Sequence, residues 1–218
     1  MSASLVGSEM CIRDRYYGVT PNMYTIPVGS LPELKYPKEG RKPYSLITAS
    51  RLASEKHVDW ICKAVIQARS EVPELSLDIY GVGGEREKLE NIIRDNNASG
   101  YIHLMGQHDL SEVYQNYEAY IAGSTSEGFG LTLMEAVGGG LPIIGFDVRY
   151  GNPTFIRDGE NGYLLELPEE DKDRVEALRK GIVDLFKQDL EHCHSVSYLV
   201  AQDFLTSNVQ EKWREAVC

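Results

Sequence analysis

Residues 119–146 read AYIAGSTSEGFGLTLMEAVGGGLPIIGF. A short apolar run, 119–123, stops at a Ser/Thr loop, and a Gly-Phe-Gly turn follows. Residues 131–137 then carry apolar side chains at a spacing that suits a helix, and 141–146 is a second apolar run. Strand, turn, helix, strand in so short a span is a βαβ unit, the crossover that parallel strands require.

The same alternation extends in both directions. Strands are expected at residues 44–49, 75–80, 101–105 and 161–165, with helices at 58–70, 85–95 and, briefly, 110–116. Repeated βαβ units predict an α/β, Rossmann-like parallel sheet of about six strands with helices on both faces. This domain is assigned to residues 44–203. Ligands of such sheets bind at the carboxyl ends of the strands, so the loops that follow strands are the places to look for chemistry.

Three segments lie outside that pattern. Residues 16–43 are rich in Pro and Gly and read as a linker into the domain. Residues 204–218 read as a C-terminal helix. Residues 1–15 lack the basic start and continuous apolar run of a secretory signal, match nothing that follows, and read as a foreign leader.

Composition removes several classes of function. The 218 residues carry a net charge of −11, the opposite of the basic surface that nucleic acid requires. No stretch approaches the roughly 20 apolar residues of a membrane span. Cys11, Cys62, Cys193 and Cys218 form no Cys-x-x-Cys pair. In His192-Cys193-His194 the neighbours point in different directions on either regular structure, so no metal site is expected. A reducing cytosol is the simplest setting.

The stretch Ser126-Glu127-Gly128-Phe129-Gly130-Leu131-Thr132-Leu133-Met134-Glu135 carries the strongest chemical signal. Glycines let backbone approach a ligand, and the first N–H groups of the helix have no intrahelical partners. Such a turn cradles an anion, aided by the positive end of the helix dipole. Glu127 lies in the loop before the helix and Glu135 inside it. One carboxylate can face a reacting sugar while the other faces a hydroxyl pair further along.

Arg51, directly after a strand, and Lys56, five residues on, put two cations at a strand's carboxyl edge. That arrangement suits a diphosphate, since Arg grips two oxygens at once. Gly81-Val82-Gly83-Gly84 is half of a dinucleotide fingerprint, and its simpler reading is a tight strand-to-helix turn. Gly106-Gln107-His108 also follows a strand. Its backbone can hold a base edge, or His108 is a solvent-exposed loop residue.

Arg51-x4-Lys56 and Glu127-x7-Glu135 together resemble the retaining GT-B glycosyltransferases of family 4. Ile47-Thr48-Ala49-Ser50-Arg51-Leu52, Asp78-Ile79-Tyr80-Gly81, residues 124–135 and residues 145–152 are similar to one branch, which glycosylates serine-rich-repeat adhesins of the accessory Sec system. The poly(glycerol-phosphate) α-glucosyltransferases of wall teichoic acid share much of the pattern. The resemblance runs from about Tyr24 to the end.

The resemblance implies a UDP-sugar donor, UDP-N-acetylglucosamine first, and transfer to Ser/Thr of a protein acceptor with retained anomeric configuration. It implies Arg51 and Lys56 on the diphosphate, and Glu127, Gly128, Phe129, Gly130 and Leu131 at the donor sugar, with Glu127 catalytic. Gln107 and His108 would lie by the uracil and Glu135 at the ribose hydroxyls. Neither metal nor cofactor is implied, because cations and the helix N-terminus take the leaving-group charge. A stabilising, glycosyltransferase-like partner subunit and a cytoplasmic location, peripheral at the inner membrane face, complete the expectation.

Two features depart from the family pattern. Ser50 stands where much of the wider family has Gly. The resemblance also covers only the second domain of a two-domain fold, so the fragment is expected to be inactive alone, its C-terminal helix crossing to a domain not present. Two other classes compete. A glycosidase would also use paired carboxylates but leaves Arg51 and Lys56 without purpose. A non-catalytic nucleotide-sugar-binding subunit fits the missing domain.

Overall fold

A computed structural model describes residues 26–217, so the 1–15 leader lies outside the described residues. Six strands run β1 (Ser45–Ala49), β2 (Ser76–Tyr80), β3 (Ile102–Gly106), β4 (Ala119–Ile121), β5 (Ile143–Phe146) and β6 (Gly162–Leu165). They form one sheet in the order β3-β2-β1-β4-β5-β6, with every neighbouring pair parallel. This is the doubly wound α/β arrangement expected from residues 119–146 outward.

The helices are α1 (Val58–Ala68), α2 (Arg86–Asp95), α3 (Leu131–Gly138), α4 (Gly151–Phe155), α5 (Asp171–Leu185), α6 (Leu190–Gln202) and α7 (Thr206–Val217). Alternation along each strand sends side chains to two separate cores. Leu46, Leu77, Ile79, Ile121 and Ile144 join α1, α2 and α5 on one face. Ile47, Tyr80, Tyr120 and Ile143 join α3 and α6 on the other. Trp60 is buried in the first core, with His57 stacked on it at 3.5 Å and the Arg174 guanidinium 4.9 Å from its ring.

Two elements differ from the sequence expectation. Of the helix expected at 110–116 only a 3-10 turn, Tyr114–Asn116, forms. Asp109 accepts from the Ser111 amide at 3.0 Å, an Asx turn that competes with helical pairing in a segment too short to propagate. Conversely, α4 has no periodic signal, being built of Gly-Asn-Pro-Thr-Phe. Pro153 falls in its first turn, where a missing N–H costs nothing.

The described part of the linker segment, residues 26–43, lies along the face made by α3 and α6. Leu31 pairs with Leu205 in a parallel bridge, Lys35 N donates to Gly138 O at 2.9 Å and Lys42 N to Asn116 O at 2.8 Å. The half-buried Arg41 guanidinium donates to Gln115 O (3.0 Å), Tyr117 O (2.9 Å) and Gly139 O (2.9 Å). It thereby ties this strap to the carboxyl end of α3, where a cation also suits the helix dipole. The C-terminal helix expected from residue 204 forms as α7 from Thr206. Its first amide, Thr206 N, donates to Leu31 O at 2.8 Å, and Trp213 is exposed.

Candidate functional site

The strand order reverses between β1 and β4: β2 and β3 lie to one side, β5 and β6 to the other. Loops leaving the carboxyl ends of β1 and β4 therefore diverge and leave a crevice between them. The loop after β1 carries Arg51 and Lys56. The loop after β4 carries Glu127 and the glycines that open α3.

Tyr120, at the middle of β4, holds these two loops in register. Its buried hydroxyl donates to Ala49 O at 2.9 Å and lies 3.1 Å from Thr132 Oγ1. The end of β1 and the first turn of α3 are thus joined through one side chain.

On the β1 side, residues 54–56 form a 3-10 turn closed by His57 at φ 43°, and this turn delivers Lys56 to the crevice. Lys56 Nζ lies 2.6 Å from Glu127 Oε2, with the two side chains only 18% and 20% exposed. Arg51 behaves differently. Its side chain is 77% exposed and pairs with Glu55 at 3.0 Å, beyond the Lys56–Glu127 contact.

On the β4 side, the Glu127 backbone is pinned by the loop after β5. Glu127 N donates to Arg149 O (3.3 Å), and Glu127 O accepts from Tyr150 N (2.5 Å) and Gly151 N (3.0 Å). A Cβ on Gly151 would stand 2.7 Å from Glu127 Cγ, so the glycine makes room for the carboxylate's stem. Gly128 has nothing within 4 Å of its would-be Cβ, while Gly130 adopts φ 84° to turn the chain into α3. The Phe129 ring packs on Phe155 (5.4 Å) and Phe204 (6.0 Å), anchoring the turn from behind. Leu131 is exposed at the helix start, where the first amides lack intrahelical partners.

Glu135 sits one turn further along and accepts from the Tyr114 hydroxyl at 3.0 Å. Burial pushes its carboxyl above the usual carboxylate range; the Tyr114 bond works the other way, and the charge of Asp109 adds to the rise. Glu135, Asp109, Tyr114 and Leu31 border a cavity of about 220 Å3 roofed by the 26–43 strap. Gln107 is exposed on the loop after β3. His108 Nε2 lies 2.9 Å from Met105 O, and its ring meets Tyr80 edge-on at 5.8 Å.

Gly81 and Gly83 serve packing. A Cβ at Gly81 would fall 1.8 Å from Ser50 O, and one at Gly83 would fall 2.3 Å from Leu52 O. These glycines let the loops after β1 and β2 touch. Among the described residues no group of three His, Cys, Asp or Glu side chains is placed to hold a metal, and no helix is long and apolar enough to cross a membrane. In the His192-Cys193-His194 run, Cys193 and His194 face inward from α6 and His192 does not.

Tyr114 and Arg41 escape the sequence reading. Each acts on an element far away in the chain, so no local spacing marks it.

Residues 34–198 match the family described as glycosyl transferases group 1. The chain belongs to that family. A relative from Limosilactobacillus reuteri subsp. suis, the UDP-N-acetylglucosamine–peptide N-acetylglucosaminyltransferase GtfA subunit, is 56% identical over 200 residues, covering 90% of this chain and 39% of its own length. The pneumococcal O-GlcNAc transferase GtfA, solved in complex with UDP and GlcNAc, superposes with a TM-score of 0.90 at 48% identity over 98% of this chain and 44% of that one. A GtfA/B complex gives a TM-score of 0.88 at 52% identity, covering 97% and 44%. This group 1 transferase chain thus spans about two fifths of the length of the relatives it matches.

Proposed function

We propose that this chain is the donor-binding part of a retaining glycosyltransferase that moves N-acetylglucosamine from UDP-N-acetylglucosamine to Ser/Thr of a serine-rich-repeat adhesin. The observation that carries the reading is the crevice between β1 and β4. It sets Lys56 and Glu127 in contact beside the amino end of α3. The 48% identity to a transferase solved with UDP and GlcNAc supports the same ligand class.

In this reading the diphosphate lies over the N-terminus of α3, where free amides and the helix dipole favour an anion. Arg51 exchanges its exposed bond to Glu55 for phosphate oxygens, and Lys56 approaches from the wall of the crevice. Glu135, oriented by Tyr114, accepts the ribose hydroxyls, and the Gln107–His108 loop meets the uracil edge. Transfer breaks the bond from sugar C1 to the diphosphate oxygen and forms one from C1 to the acceptor oxygen, whose proton passes to the departing diphosphate. The cations and amides stabilise the charge that builds on the departing UDP, the role a metal plays elsewhere. Glu127 and the Gly128–Gly130 backbone face the sugar.

A complete site needs a second domain to close over the donor and exclude water. We assign α7, with the exposed Trp213, to that crossing, and a second glycosyltransferase-like subunit to stabilising the whole enzyme at the cytoplasmic membrane face. Calorimetric titration of this chain with uridine, UDP and UDP-N-acetylglucosamine tests the reading. UDP binding tighter than uridine binding, with no dependence on added divalent metal, is the expected result. Equal affinity for uridine and UDP overturns it.

A further inference from the structure

Lys56 and Glu127 neutralise one another in the crevice. Among the described residues neither group takes part in another ion pair, and both side chains are four-fifths covered. The backbone on each side is held: Lys56 N donates to Ala53 O, and Glu127 is bracketed by Arg149, Tyr150 and Gly151. A pair this covered is screened little by water, and removing one partner leaves the other uncompensated.

We propose that Glu127 is the resident counter-ion of Lys56, and that the exchange of this carboxylate for the donor's diphosphate discriminates the sugar-bearing donor from spent UDP. The inference rests on the reading of the crevice as a nucleotide-sugar site. A diphosphate that takes Lys56 leaves Glu127 as an unpaired carboxylate beside a new anion. Sugar hydroxyls or an amide N–H of a complete donor donate to the released carboxylate and restore its hydrogen bonds. UDP lacks the transferred sugar, and its ribose hydroxyls lie at Glu135 instead, so it binds against Glu127. Once the sugar has left, the carboxylate recovers Lys56 and UDP is displaced. Arg51, paired at the surface with the mostly exposed Glu55, has no comparable competitor, because an exposed pair contributes little.

The test compares wild type, Glu127→Gln and Lys56→Met by calorimetric titration with UDP and UDP-N-acetylglucosamine, with thermal melting to confirm folding. Glu127→Gln should raise affinity for UDP by about 3- to 10-fold, or about 0.7–1.4 kcal/mol, and narrow the preference for the complete donor. Glu127→Ala, which removes the carboxylate with a different shape, should move UDP affinity in the same direction. Lys56→Met should weaken both ligands. Unchanged or lower UDP affinity in both Glu127 variants, with Lys56→Met still weakening UDP, overturns the counter-ion exchange and leaves the donor site standing. UDP affinity indifferent to Lys56→Met overturns both the exchange and the placement of the diphosphate.

Discussion

The Tyr114 hydroxyl donates to Glu135 Oε2 at 3.0 Å, joining the 3-10 turn before β4 to the middle of α3. This bond fixes which way the partly covered carboxylate faces. Burial raises its pKa, so the fold disfavours the ionised form relative to an ordinary carboxylate.

Glu135 should therefore give uridine binding a pH dependence. The ionised carboxylate accepts two ribose hydroxyls, whereas the protonated one has lost acceptor capacity. Uridine affinity is expected to fall as pH drops through the raised pKa, which lies above the ordinary carboxylate range. Glu135→Gln should weaken uridine and UDP alike and remove this dependence. For stability the sign is opposite: a raised carboxylate pKa favours the fold at low pH, and that contribution is lost as pH rises through it. Glu135→Gln should then match or exceed wild-type stability at pH 7, measured by urea unfolding. A pH-independent uridine affinity in wild type would contradict the assignment.

Arg51 should separate phosphate from nucleoside. Arg51→Ala removes a charge-assisted contact worth about 1.5–3 kcal/mol. UDP affinity should fall by about ten- to a hundred-fold while uridine affinity stays as it was. Folding stability should barely move, since the wild-type side chain is exposed on Glu55. Equal losses for uridine and UDP would place the phosphates elsewhere.

Gly151 tests the loop that backs Glu127. Gly151→Ala puts a methyl 2.7 Å from Glu127 Cγ and 3.0 Å from Phe129 O. A destabilisation of about 1–3 kcal/mol is expected, the usual cost of overpacking. Affinity for the full UDP-sugar should drop further than affinity for uridine, because the displaced group faces the sugar. Thermal melts and the two titrations read these effects independently.

His194 gives an acid-side prediction away from the crevice. Burial, helped by the nearby Arg41 charge, lowers its pKa from 6.5 to about 4, and its Nε2 lies 3.0 Å from Glu118 O. Between those two values the unfolded chain binds a proton that the folded one does not, so stability falls as pH drops from about 7 to about 4. The full effect is about 3 kcal/mol at most. Glu118, whose carboxyl burial raises, offsets part of it. His194→Asn should flatten the slope of stability against pH in this window; an unchanged slope would exclude the histidine as its source.

Residues 119–146 were enough to announce a parallel sheet, because the apolar runs, the glycine turn and the helical spacing are all local patterns. The same locality singles out candidates for an anion site: Glu127 and Glu135 about a glycine turn that opens a helix, and Arg51 and Lys56 as two cations after a strand end. Locality also sets the limit. The segment 26–43 looks like a linker because its Pro and Gly carry no period, yet Arg41 and Leu31 find partners on α3 and near α7. The helix at 151–155 has no periodic signal because it is five residues of Gly, Asn, Pro, Thr and Phe. Arg51 and Lys56 look equivalent in sequence. Only the reversal of strand order between β1 and β4 buries one against Glu127 and leaves the other in water with Glu55. Chain periodicity determined the elements and the residue types at their ends. Which charge meets which was decided by packing, since groups 71 residues apart become neighbours only once the sheet has closed around them.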